Sequence, residues 1–297
     1  MHHQITRHLL RCGKLTTRLH QQPRFSTVRI KMTTPTTPTP KLPANLTSAQ
    51  LLSFKPYTSW LSSLTSSLSQ QQQPSHPFHS DPYILRSLTV SHADFFGQRI
   101  GFLNVTASLT NSAGESLPGM AFLRGGSVAV LVILQEEEGG EGEEWALLTV
   151  QPRVPAGALE FVELPAGMVD GDTFTGAAAK EIEEECGIVI KAEGLVDLTK
   201  LALGALVREM EGERLEAAVY PSPGGCDEFV KIFAYTHAID KGTLGEWRGR
   251  LTGLREEGEK ITLKVVRLRD LWKETLDAKA LSAVALFEGL RREGHKI

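Results

Sequence analysis

The 297-residue chain is 41% hydrophobic and carries a formal net charge of -3, enough to bury one large core or a core with a small satellite. That balance excludes the basic field that nucleic-acid backbones demand, and without a run of roughly 18 apolar residues no membrane-spanning helix is expected. Cys12, Cys186 and Cys226 form no CxxC pair and leave an odd count, which argues against a disulfide framework or thiolate zinc site and for a reducing compartment.

The first 80 residues contain no Asp or Glu, and Arg7, Arg11, Lys14, Arg18, Arg24, Arg29 and Lys31 stand among Ser, Thr and Leu. Residues 1–31 therefore read as a mitochondrial transit peptide for matrix delivery, and Met32 as a second start giving a cytoplasmic form. Residues 32–80, rich in Pro, Ser and Gln, read as a low-complexity linker interrupted by a short amphipathic helix over 48–68. Order is expected from Asp81.

Alternation predicts strands over 83–90, 99–108 and 120–124, making a small N-terminal strand subdomain of residues 81–125. In the main domain, 126–297, strands are predicted over 128–134 and 145–150, joined by an acidic, glycine-rich hairpin loop over 136–144. An extended piece over 162–165 leads into a helix over 173–186. Strands over 229–236 and 260–267 follow, and a closing amphipathic helix over 277–292 takes Asp277 as its N-cap. Strands and helices in this mixed order indicate an α/β sandwich.

The chemistry is concentrated in Glu163-Leu164-Pro165-Ala166-Gly167 and Lys180-Glu181-Ile182-Glu183-Glu184-Glu185-Cys186-Gly187-Ile188. On a helix, Glu181, Glu184 and Glu185 stand at i, i+3 and i+4, so three carboxylates share one face. Each like-charge pair costs a few tenths of a kcal/mol on an isolated helix. A divalent cation removes that penalty, and Mg²⁺ prefers such an all-oxygen shell. Gly187 suits a left-handed helix stop, while Ala177, Ala178 and Ile182 supply the opposite, buried stripe. A run of Glu alone is ordinarily a solvated face; the flanking glycines give this one its meaning. The scattered histidines show no ligand spacing.

These residues resemble the box of the Nudix family, G-x5-E-x7-R-E-U-x-E-E-x-G-U, with U an aliphatic residue. Lys180 stands where the family has Arg, and the Gly167–Lys180 interval is one residue short, leaving Asp172 nearest the early Glu. Gln151-Pro152-Arg153-Val154-Pro155, Pro221-Ser222-Pro223-Gly224-Gly225-Cys226-Asp227-Glu228 and residues 252–259 resemble the ADP-sugar pyrophosphatase branch, and within it the plant plastid ADP-sugar diphosphatases.

The resemblance implies a Nudix-type α/β/α sandwich of mixed sheet with a small N-terminal antiparallel sheet through which homodimers form. It implies Mg²⁺ or Mn²⁺ held by Glu181, Glu185 and the carbonyl of Ala166, with Glu184 a further ligand or the holder of a metal-bound water and Lys180 fixing one carboxylate. The general base is expected in a later loop, at Glu259 or next at Glu257. Arg153 is expected on the diphosphate, Glu163 on the adenine or ribose, and Pro223, Gly224 and Gly225 in a turn against the ligand. The implied reaction cuts an ADP-sugar such as ADP-ribose or ADP-glucose into AMP and a sugar phosphate. The alternatives are another nucleoside diphosphate derivative, or a Nudix domain of weak activity kept for binding.

Overall fold

The computed structural model describes residues 37–136, 143–169, 173–210, 212–254 and 260–297. The transit-peptide reading of residues 1–31 and both candidate bases, Glu257 and Glu259, lie outside these residues.

Within residues 32–80, expected as a linker with one short helix over 48–68, the helix is present, but from residue 41 onward the stretch packs into a core and is not a linker. Lys41 adds a bridge beside Thr89, and helices α1 (Ser48–Ser53) and α2 (Lys55–Gln70) follow. A capping box of Thr47 and Gln50 starts α1. Leu46, Leu51 and Tyr57 are buried, with Leu61, Leu64 and Leu68 packed behind them. Although hydroxyl residues dominate this stretch, one apolar residue per helical turn is enough when a sheet supplies the opposite wall.

That wall is a small antiparallel sheet of β1 (Ile84–Phe96), β2 (Arg99–Thr110), β3 (Ser116–Leu117) and β4 (Met120–Leu123), with β2 central and paired to the other three. Leu88, Val90, Leu103, Val105 and Leu123 face the helices, as period-two patterning dictates.

The larger sheet begins with β5 (Ser127–Glu136) and β6 (Glu144–Arg153), followed by β7 (Ala158–Glu163) and β8 (Ala166–Met168). The box helix α3 (Phe174–Glu181) continues as a widened π turn over Ile182–Cys186. Then come β9 (Val196–Asp197), α4 (Leu198–Glu209), β10 (Val230–Ile239), α5 (Lys241–Trp247), β11 (Leu251–Thr252), β12 (Ile261–Arg267) and α6 (Ala278–Arg292). Among the described residues the sheet order is β11-β12-β6-β5-β10-β9, mixed in direction because β10 runs parallel to β5.

Side chains alternate along β5. Val128, Val130, Val132 and Leu134 pack on α3 and α5, whereas Ala129, Leu131 and Ile133 pack towards α4 and α6. Helices thus cover both faces, which makes the expected α/β/α sandwich.

One irregularity positions the site. β5 and β6 pair only over Val132–Gln135 against Glu144–Leu147. Beyond that point they part; β6 pairs with β7 from Thr149 onward, and β5 pairs with β8 over Ser127–Ala129. The residues joining β7 to β8 therefore fill a fork in the sheet, and the amide of Val130 donates to the carbonyl of Pro165 at 3.0 Å.

Candidate functional site

The fork, the π turn and the start of α6 meet around Glu163–Gly167. Glu185 reaches into the fork and is only 6% exposed. Its Oε2 accepts from the amide of Ala166 at 3.0 Å, and its Oε1 accepts from Nε2 of Gln151 at 3.0 Å. Burial pushes its pKa from 4.5 to about 8, opposed by those two hydrogen bonds and reinforced by the charges of Glu181 and Glu163. In an extended strand a residue's N–H and C=O share one edge, so the Ala166 carbonyl faces this acidic point as well.

Glu181, the last residue of α3, lies against the same strand. A β-carbon built on Gly167 falls 1.8 Å from Glu181 Oε1, so only glycine admits the carboxylate there. The box glycine is a matter of clearance.

Glu184 does not join this pair. The sequence places Glu181, Glu184 and Glu185 on one face of a regular helix; the wider π turn instead drives Glu185 inward and leaves Glu184 in an ion pair with Lys180 at 3.3 Å. Such turns recur at functional sites. Gly187 ends the turn at φ 71°, its amide bonded to the carbonyl of Glu183, in the left-handed conformation expected of it.

Glu181, Glu185 and the Ala166 carbonyl offer oxygen alone, the donor chemistry a hard divalent ion takes. In kind these residues fit Mg²⁺ or Mn²⁺. In spacing they are less gathered than expected, since among the described residues no group of three or more His, Cys, Asp or Glu closes on one point.

Beside the acids lies a row of alternating charge. Glu163 is 2% exposed. Its Oε1 accepts from Nε of Arg153 at 2.6 Å, and its Oε2 accepts from Nζ of Lys279 at 3.0 Å. Lys279 also donates to Oδ1 of Asp277 at 2.9 Å. Burial works against the ammonium of Lys279, but Asp277 and Glu163 outweigh it and leave its pKa raised. A register shift between Gln151 and Arg153 frees each side chain for a different task, and Pro152, which has no amide to donate, sits in that irregularity.

Pro223, Gly224 and Gly225 form the tight turn expected of them, with the amides of Gly225 and Cys226 both donating to the carbonyl of Ser222. The residues just after it join the two sheets. Asp227 Oδ1 accepts from the amides of Arg124 and Gly125 at 2.7 and 3.1 Å, and Glu228 pairs with Arg124 at 3.2 Å.

Sequence reasoning passed over Gln151 and Lys279. The signal for Gln151 is a lone amide after Ala146-Leu147-Leu148-Thr149-Val150. For Lys279 it is a cation in the first turn of a helix, where the macrodipole disfavours positive charge.

Residues 125–287 match the NUDIX domain family. Over 213 residues the chain is 43% identical to "Nudix hydrolase 14, chloroplastic" of Arabidopsis thaliana, an alignment covering 71% of this chain and 64% of that protein, so the chain spans somewhat less than two thirds of the relative's length. Among solved structures it is similar to one described as an ADP compounds hydrolase, at 14% identity and a TM-score of 0.43, over 72% of this chain and 99% of that one.

Proposed function

The chain belongs to the NUDIX domain family, and from that premise we propose that it hydrolyses the diphosphate bond of ADP-sugars, such as ADP-ribose and ADP-glucose, to AMP and a sugar phosphate. The observation that carries this reading is the convergence of Glu181 and Glu185 on the Ala166–Gly167 strand, beside a cationic side chain already anchored at one end.

Arg153 supplies the diphosphate contact. Its Nε is tied to Glu163, and its two terminal nitrogens make no hydrogen bond among the described residues. They are left as parallel donors suited to phosphate oxygens. Glu181, Glu185 and the Ala166 carbonyl would hold Mg²⁺ or Mn²⁺, which when bound neutralises the diphosphate and acts as a Lewis acid. Lys180 holds Glu184. Glu259, or next Glu257, takes the proton of the attacking water. Pro223, Gly224 and Gly225 let the backbone approach the substrate. The small sheet makes the homodimer contact, and residues 1–31 direct import to the mitochondrial matrix; imaging a fluorescent fusion tests the latter, and the name of the Arabidopsis relative makes a plastid the competing destination.

A second reading, a nucleotide-binding domain of low activity, is favoured by one observation: Glu185 is hydrogen-bonded on both oxygens, and among the described residues no third acid joins the pair. Phosphatase-coupled phosphate release from ADP-ribose, ADP-glucose and a dinucleotide with Mg²⁺, run beside Glu185→Gln, separates the two. Turnover of an ADP-sugar that the substitution abolishes supports hydrolysis. Tight uptake with no release supports the binding reading, and equal release by both proteins places the metal elsewhere.

A further inference from the structure

We propose that Lys279 is a positioning residue: by occupying one oxygen of Glu163, it keeps Arg153 from folding back onto that carboxylate and leaves the guanidinium pointed at the diphosphate. This rests on the diphosphatase reading above.

Arginine's favoured geometry with a carboxylate is two-pronged, two N–H groups on two oxygens. Glu163 denies it that arrangement. Its Oε1 holds Nε of Arg153 at 2.6 Å, while its Oε2 is taken by Lys279 Nζ at 3.0 Å. Lys279 is itself fixed. Its ammonium bonds Oδ1 of Asp277, and Asp277 caps α6 while its Oδ2 accepts the amide of Leu164 at 3.1 Å. Thr275 donates to the carbonyl of Val162 at 2.5 Å and stitches the same helix start to β7. The row Arg153, Glu163, Lys279, Asp277 therefore alternates in sign from the open end of the fork to the helix N-terminus. A lysine is a poor choice for that helix position on dipole grounds, so its placement answers to Glu163 instead. Removing it leaves a buried carboxylate with one cation, and the guanidinium closes on both oxygens.

The test is calorimetric titration of ADP-ribose and of adenosine in EDTA, where no turnover occurs. For Lys279→Met we expect ADP-ribose affinity to fall roughly ten- to a hundredfold, with adenosine affinity unchanged. With metal present, KM rises and kcat holds. Lys279→Arg, which keeps a cation on Oε2, retains wild-type affinity. Adding Glu163→Gln to Lys279→Met takes away the carboxylate on which Arg153 collapses and restores part of the loss, whereas a merely structural lysine predicts a further loss. Wild-type affinity in a folded Lys279→Met overturns the proposal. So does failure of both Lys279→Met and Lys279→Gln to fold, which makes the residue structural. A wild type that takes up no ADP-ribose removes the diphosphatase reading, and this inference with it.

Discussion

Glu181 occupies the space a β-carbon at position 167 would need, 1.8 Å from its Oε1. The obstructed group is the far end of a flexible side chain, so Gly167→Ala should fold and should move the carboxylate instead. Expected are a melting temperature within a few degrees of wild type and a Mn²⁺ affinity lowered about tenfold, read by calorimetry. Unchanged Mn²⁺ uptake would remove Glu181 from the metal site.

Glu185 makes stability depend on pH in a definite direction. Unfolded, it loses its proton near 4.5; folded, it keeps it to about 8. The folded state therefore binds more protons between these values, and stability falls as pH climbs through that window, by at most about 1.4 kcal/mol per unit from this group. Above pH 8 the loss levels off. Glu185→Gln should flatten this slope, so urea midpoints of wild type and variant at pH 5 and pH 8.5 should differ more at the higher value. Parallel profiles would show that the acid is better solvated than its burial implies.

Asp227 joins the small sheet to the large one by accepting the amides of Arg124 and Gly125. Asp227→Ala leaves both donors without their acceptor and should cost about 1 to 3 kcal/mol in urea unfolding. Hydrogen exchange should quicken first at those two amides. If exchange rises instead along β10, the junction is held elsewhere.

At Gly187, φ of 71° lies where a side chain meets the following carbonyl. Gly187→Ala should cost about 1 kcal/mol, measured by thermal unfolding. Asparagine at this position should cost less, because it tolerates the left-handed region.

How much of this was legible in the sequence follows from which forces are local. The strands at Arg99–Thr110, Ser127–Glu136 and Ile261–Arg267 announce themselves by pattern, and Asp277 caps α6 as its chemistry suggests. The acids Glu181 and Glu185 were legible from their helical spacing, but the close approach of Glu181 to Gly167 was not, because it depends on how α3 packs against β8. The helical character of 48–68 was legible, but the packing of α1 and α2 was not, since their core-facing residues are thinned by Ser and Thr and gain their partners from β1 and β2. The π turn was not readable at all; nothing in the spacing of Ile182–Cys186 marks the wider turn that carries Glu185 into the fork. Gln151 and Lys279 act through groups far along the chain, and their pairings emerge only after β6, β7 and α6 are brought side by side.

The parting of β5 from β6 has a further meaning for how such a chain can diversify. Where two neighbouring strands separate, main-chain donors lose their usual mates, and Ala166 finds its substitute in an ionisable side chain. An acidic side chain is thereby lodged at a seam that the hydrophobic interior does not need to close. Substitutions along β7 and β8 can retune what enters that seam while the apolar layers on either side of the sheet go on holding the molecule together.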